Sequence, residues 1–121
     1  MPFLSDNIFD SGLGYATTNG TRIDVCSQEP TTYAEATSTY TVGTKAVTVG
    51  SPVNNSPDGR KVIVAAVSAG GVTATGTASH WALTDGTGEL LATGTLSASQ
   101  ALTSGNTFDL AAIDVALRDP T

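Results

Sequence analysis

The sequence predicts an all-β domain, an antiparallel β-sandwich of jelly-roll-like build with about seven or eight short strands and a short N-terminal arm or helix. Three observations carry this. Charged residues are only 13% of the chain, and Glu, Lys, Gln and Arg, the stronger helix formers, are scarce while Thr and Val are common. Apolar and polar positions alternate in short runs such as TRIDVCS. Turn signals (Asp-Gly twice, Gly-Gly, Ser-Gly-Asn) recur at close spacing. At 121 residues the chain is long enough for one core and too short for two. It divides into an N-terminal arm, residues 1–20, and a single β-sandwich domain, residues 21–121.

The arm, MPFLSDNIFDSGLGYATTNG, crowds Phe3, Leu4, Ile8, Phe9, Leu13 and Tyr15 into its first fifteen residues. Ser5 and Asp6 are suited to cap a short helix starting near Asn7, which Gly12 and Gly14 would end early. Such an arm either folds onto its own domain or is given to a neighbour, and the six apolar residues are the candidate assembly contacts. Next, TRIDVCS places Ile23 and Val25 on one face and Arg22, Asp24 and Cys26 on the other. Thr32 and Glu35 have the spacing of a capping box, giving one helical turn within TTYAEATSTY. TKAVTVG reads as a strand, and SPVNNSPDGR as a loop. KVIVAAV, residues 61–67, has the continuous apolar character of a central strand buried on both faces. Gly70-Gly71 break it before a threonine-rich strand, VTATGTA.

In ASHWALTDGTGELLATG, Trp81 and Leu83 share one face, and His80, Ala82 and Thr84 the other. The DGTG turn then sends the chain back as a hairpin, with Gly86 and Gly88 supplying positive φ. After a turn at Ser104-Gly105-Asn106, Phe108, Leu110, Ile113, Val115 and Leu117 change phase, which implies a break near Ala111-Ala112.

Chemistry finds little to work with. His80 is the only histidine, and Asp85, Asp109 and Asp114 are the acids that could pair with it beside a serine, but no G-x-S-x-G surrounds any serine. Asp85-Gly86-Thr87-Gly88-Glu89 has alternating oxygen groups but not the length of an EF-hand loop, and Asn54, Asn55 and Asp58 read as turn residues. One His and one Cys far apart give no zinc framework. We therefore expect no enzyme activity, no cofactor and no metal, with a hydrolase using His80 as the remote alternative. Cys26 has no partner for an intrachain disulfide and reads as a buried, inert thiol. A net charge of −6 with five basic residues argues against nucleic acid and against an anionic membrane surface. No segment has the ~20 consecutive apolar residues of a membrane span, nor is there a secretory leader, so folding in a cytoplasm is expected.

HWALTDGTGELLATGTL, followed by a polar spacer and TSGNTFDLAAIDVAL, resembles a pattern in small β-rich structural proteins of tailed bacteriophages. GYATTNGTRIDVCSQEPTTYAEATSTYTVGTK is similar to such proteins as well. The resemblance covers most of the chain and rests on turn spacing and compositional rhythm. It implies a virion protein of the head decoration (cement) or fibre kind, assembled in the host cytoplasm. The expected place is the outer capsid surface rather than the tail, because acidity disfavours a wall facing packaged DNA. The implied partners are the major capsid protein or another virion protein, and further copies of the chain in a symmetric oligomer, a trimer at a threefold or quasi-threefold position. A tail or fibre component, adaptor or receptor-binding tip, is the alternative, with Tyr33 and Tyr40 as the aromatics available for carbohydrate.

Overall fold

Alternation and turn chemistry produce a strand-rich chain in two antiparallel sheets. The structure is a computed structural model and describes residues 5–56 and 58–118. Nine strands follow one helix among these residues, more than the seven or eight expected. They are β1 (Arg22–Cys26), β2 (Thr41–Ala46), β3 (Val53–Asn54), β4 (Arg60–Val64), β5 (Val67–Val72), β6 (Gly76–Thr84), β7 (Leu90–Leu102), β8 (Thr107–Leu110) and β9 (Ile113–Leu117). The first sheet has the order β7-β6-β1-β2-β5-β8, and the second β3-β4-β9.

The helix, α1 (Asp6–Asn19), runs straight through Gly12 and Gly14, contrary to the short helix expected. Tertiary packing overrides the cost of two glycines, about 1 kcal/mol each. Phe9, Leu13 and Ala16 make an i, i+4, i+7 stripe against the core, and Phe9 and Leu13 are 2% and 3% exposed. Ser5 caps the N-terminus by accepting the Asn7 amide at 3.2 Å. At the other end the Gly20 amide donates to the Ala16 carbonyl at 2.7 Å. A Cβ on Gly20 would sit 2.6 Å from that carbonyl oxygen and 2.9 Å from Val49, so close approach requires glycine there. The Arg60 guanidinium pins α1 to β4, reaching both Asp10 oxygens at 2.9 and 3.2 Å.

One core gathers Ile23, Val25, Val42, Val72, Leu83 and Phe108 from the first sheet, Val62 and Val64 from the second, and Phe9 and Leu13 from α1. Each such side chain contributes about 1.5–3 kcal/mol on burial. Phe108 packs over Gly43 and Gly70, where a Cβ would come within 2.7 and 2.5 Å of its ring. Trp81 lies over its cross-strand partner Gly94 in the same way, at 2.6 Å.

Several strand expectations need correction. The 61–67 run is two strands: β4 ends at Val64, and Ala65-Ala66 carry the chain from the second sheet into the first. β4 is central in its sheet but buried on one face only, since Val62 and Val64 face the core while Ile63 is 39% exposed. Gly70-Gly71 lie inside β5 instead of breaking it, and the irregularity falls just before them, between Val67 and Gly70, where Ala69 takes φ 56. The break near Ala111-Ala112 is present, and there too the chain changes sheet.

Candidate assembly surface

The candidate assembly residues do not form one surface. Phe3 and Leu4 lie outside the described residues. Phe9 and Leu13 belong to the chain's own core and are withdrawn as contacts, because handing them to a neighbour would empty that core. Ile8 and Tyr15 remain on the outer side of α1, 59% and 51% exposed. Their separation follows from helical geometry, since the stripe 9, 13, 16 turns inward and leaves 8 and 15 outside.

Next to Tyr15 lies an open apolar groove of about 300 Å³, between α1 and strands β7 and β9. Gly12, Leu13 and Ala16 form its helical side, Leu91 and Ala92 come from β7, and Val115 and Leu117 from β9. Leu117 is 42% exposed, so the groove leaves a large apolar side chain against water. The Tyr15 hydroxyl donates to the Glu89 carboxylate at the rim. That hydrogen bond, and then the carboxylate charge, raise the Tyr15 hydroxyl above its usual range. Nothing in the sequence joined Leu91, Val115 and Leu117 to the helix, because they meet only through pairing between distant strands.

The His80 neighbourhood differs from the triad considered above. Asp85, Asp109 and Asp114 are engaged elsewhere: Asp85 in its turn, Asp109 accepting the Ala69 amide at 2.8 Å, and Asp114 with Lys61 at 3.0 Å. His80 has Ser79 Oγ 2.8 Å from Nδ1 and the Glu29 carboxylate 4.0 Å from Nε2. The Ser79 hydroxyl donates to the Ser27 carbonyl at 3.0 Å, and a carbonyl can only accept. The Ser79 hydroxyl proton thus has two acceptors in reach, the Ser27 carbonyl and, in one imidazole tautomer, His80 Nδ1.

The turn Asp85–Glu89 closes on itself. One Asp85 oxygen accepts the amides of Thr87, Gly88 and Glu89 at 2.8, 2.9 and 3.0 Å. Gly86 alone in this turn has positive φ, 77°, so Gly88 is not the second such position that was expected. The amides of Glu89, Gly88 and Thr87 lower the Asp85 carboxyl from 3.8 to about 2. A lowered folded-state value means the turn's stabilisation is fully present above pH ~4 and fades as pH falls toward 2. The protection of the Thr87 and Gly88 amides, their exchange relative to the intrinsic rate at each pH, is expected to fall across that window, and Asp85→Ala to remove that change. In the 50s loop, Asn54 accepts from Arg60 at 2.8 Å and Asn55 donates to the Asp58 carbonyl at 3.0 Å, which are turn-stabilising roles.

On the opposite face of the first sheet the 31–40 segment forms a lid. Its helical turn, Glu35–Thr39, is of π type, and Thr32 Oγ accepts the Glu35 amide at 3.1 Å as the capping box predicted. Ala36 packs on Cys26 and Ala82, with Tyr40 half-buried beside them. Tyr33 is also half-buried. Burial, and then the Asp24 charge, push the Cys26 thiol up to about 12, in keeping with an inert role. Under this lid Asp24 is fully buried, a feature that sequence reading missed. Its carboxylate takes Arg22 Nε and Nη2 at 2.8 and 3.0 Å and the Thr41 hydroxyl at 2.7 Å.

Among the described residues, no group of three or more His, Cys, Asp or Glu side chains converges on a point. No described helix is long and apolar enough to cross a membrane. Comparison with family models, with curated proteins and with solved structures finds no match to this chain.

Proposed function

We propose that this chain is a non-enzymatic virion structural protein of a tailed bacteriophage, a capsid decoration or cement protein. The observation that carries the reading is the open apolar groove beside α1, with Ile8 and Tyr15 exposed on the same helix. A groove of this size and lining accepts an apolar side chain or a short apolar segment from a partner. The partner in this reading is the major capsid protein, and the face engaged is the outer one, where a net charge of −6 is kept away from packaged DNA. The two sheets facing one core form a sandwich in this account, a rigid frame that presents the groove. Binding only to the assembled shell stabilises it by mass action, and a symmetric set of copies bridges neighbouring subunits.

Immunogold electron microscopy on particles from the producing strain tests the reading. Gold evenly around the heads is the expected result, and particles carrying Ile8→Glu should lose it while the free protein stays folded. Gold confined to the tail or its tip replaces decoration by a tail or fibre role. Unlabelled particles end the virion reading, and a hydrolytic activity lost in His80→Ala would then take its place.

A further inference from the structure

The two ends of the first sheet meet across a recess. β7 and β8 are its outermost strands, yet residues of both line one cavity of about 360 Å³, so the sheet curls until its edges face each other. The wall combines Trp81 with Thr95, Ser97, Gln100 and Asp109, beside apolar side chains from β7, β8 and β9.

β7 bulges where it borders this cavity. Thr95 faces His80 and Gln100 faces Ala78, so Leu96–Ser99 stand opposite Ser79 alone. A bulge bends its strand and re-aims the side chains around it. Trp81 lies over Gly94, where a Cβ would meet Cε2, Cζ2 and Nε1 at an equal 2.6 Å, so the indole covers the strand with one face. Asp109 Oδ1 accepts the Ala69 amide at 2.8 Å, and Ala69 is the one non-glycine residue with positive φ, 56°, among the described residues. Backbone strain of this kind persists where the surroundings fix it, and here it turns an amide onto the carboxylate. Among the described residues, nothing hydrogen-bonds Asp109 Oδ2, the Thr95 and Ser97 hydroxyls, the Gln100 amide group or the Trp81 N–H.

We propose that this recess binds a neutral pyranose sugar, a mono- or disaccharide. The lining selects that class. A pyranose carries C–H groups on its face and hydroxyls around its rim, and each hydroxyl both donates and accepts. The wall offers an indole to the face. To the rim it offers a donor in the Trp81 N–H, an acceptor in Asp109, and both in Gln100, Thr95 and Ser97. A cationic ligand would leave the donors idle, and an anionic one would meet Asp109 with no basic residue in the wall. The volume falls within the roughly 300–1,000 Å³ of small-molecule sites. Cleavage of a glycoside takes a pair of carboxylates and the wall holds Asp109 alone, so the site binds its sugar without cutting it. The aromatic is Trp81, neither of the tyrosines expected to serve carbohydrate. This inference does not rest on the virion reading.

Trp81 is the chain's only tryptophan, so its indole N–H gives a single NMR signal from the recess itself. The full chain is titrated with the methyl glycosides of glucose, galactose, mannose and N-acetylglucosamine, and with lactose and maltose. Glucuronate and n-butylammonium serve as charged controls. The expected result is a saturable shift of that signal by a neutral sugar in the millimolar range, with no shift from either control. Asp109→Asn keeps an oxygen for the Ala69 amide, and Gln100→Ala keeps the backbone pairing with Ala78. Each should weaken binding by about tenfold or more while the rest of the amide spectrum is preserved. Ser99→Ala, in the same bulge but outside the wall, should bind as the wild type does. Silence from every neutral sugar overturns the proposal. So does a stronger response to a charged control, or binding that survives unchanged in both recess variants.

Discussion

Deletion of residues 1–15 is expected to unfold the protein, with loss of its cooperative urea transition and its strand circular dichroism. The deletion strips Phe9 and Leu13 from the core shared by both sheets, and removes Asp10 from Arg60. Phe9→Ala alone should cost about 3–5 kcal/mol, through lost transfer energy and the cavity left between α1 and the sheets. A domain of this size has only about 5–15 kcal/mol in total, so the deletion exceeds what the rest can sustain. Ile8→Ala, on the exposed side of the same helix, should change stability by less than about 0.5 kcal/mol. Were the truncated chain to keep a native transition while failing to bind a partner, α1 would be a detachable anchor and its packing incidental.

Asp24→Ala is expected to rank next, costing about 1–3 kcal/mol in urea unfolding through its lost charge-assisted hydrogen bonds, since the Arg22 left behind is 31% exposed and partly reaches water. The loss leaves Arg22 without its two carboxylate oxygens, and the Thr41 hydroxyl with only the Gly43 carbonyl, at 3.1 Å, as acceptor. Arg22 also donates to the Thr37 carbonyl at 3.5 Å, so the lid formed by the 31–40 segment loosens with it. Labelling of Cys26 by a thiol reagent reads this out, since Cys26 is fully buried beneath that lid and reacts in proportion to its opening. Arg22→Ala should cost at least as much, because it strands the carboxylate in the interior, and a double-mutant cycle should return a favourable coupling between the two. Unchanged Cys26 labelling in Asp24→Ala would mean that the lid is held by its apolar contacts alone.

Local chemistry determined the parts of this protein that local chemistry controls. The alternation in TRIDVCS set the faces of β1, the Asp-Gly turn set the β6–β7 hairpin, and Thr32 with Glu35 set a helical turn. Each rests on neighbours within a few residues, which a sequence displays directly. Tertiary structure decided the rest. Gly12 and Gly14 signal a helix end, yet burial of Phe9 and Leu13 outweighs their propensity and carries α1 to Asn19. The apolar run 61–67 is uniform as sequence, and only the pairing of β4 with β9 and of β5 with β8 divides it between two sheets. The candidate groove depends on Leu91, Val115 and Leu117 meeting α1, and the fate of Asp24 depends on a lid folding over its strand. Contacts between residues far apart in the chain are set by how the sheets close around the core, because a side chain's surroundings are a property of the packed whole and not of its neighbours in sequence.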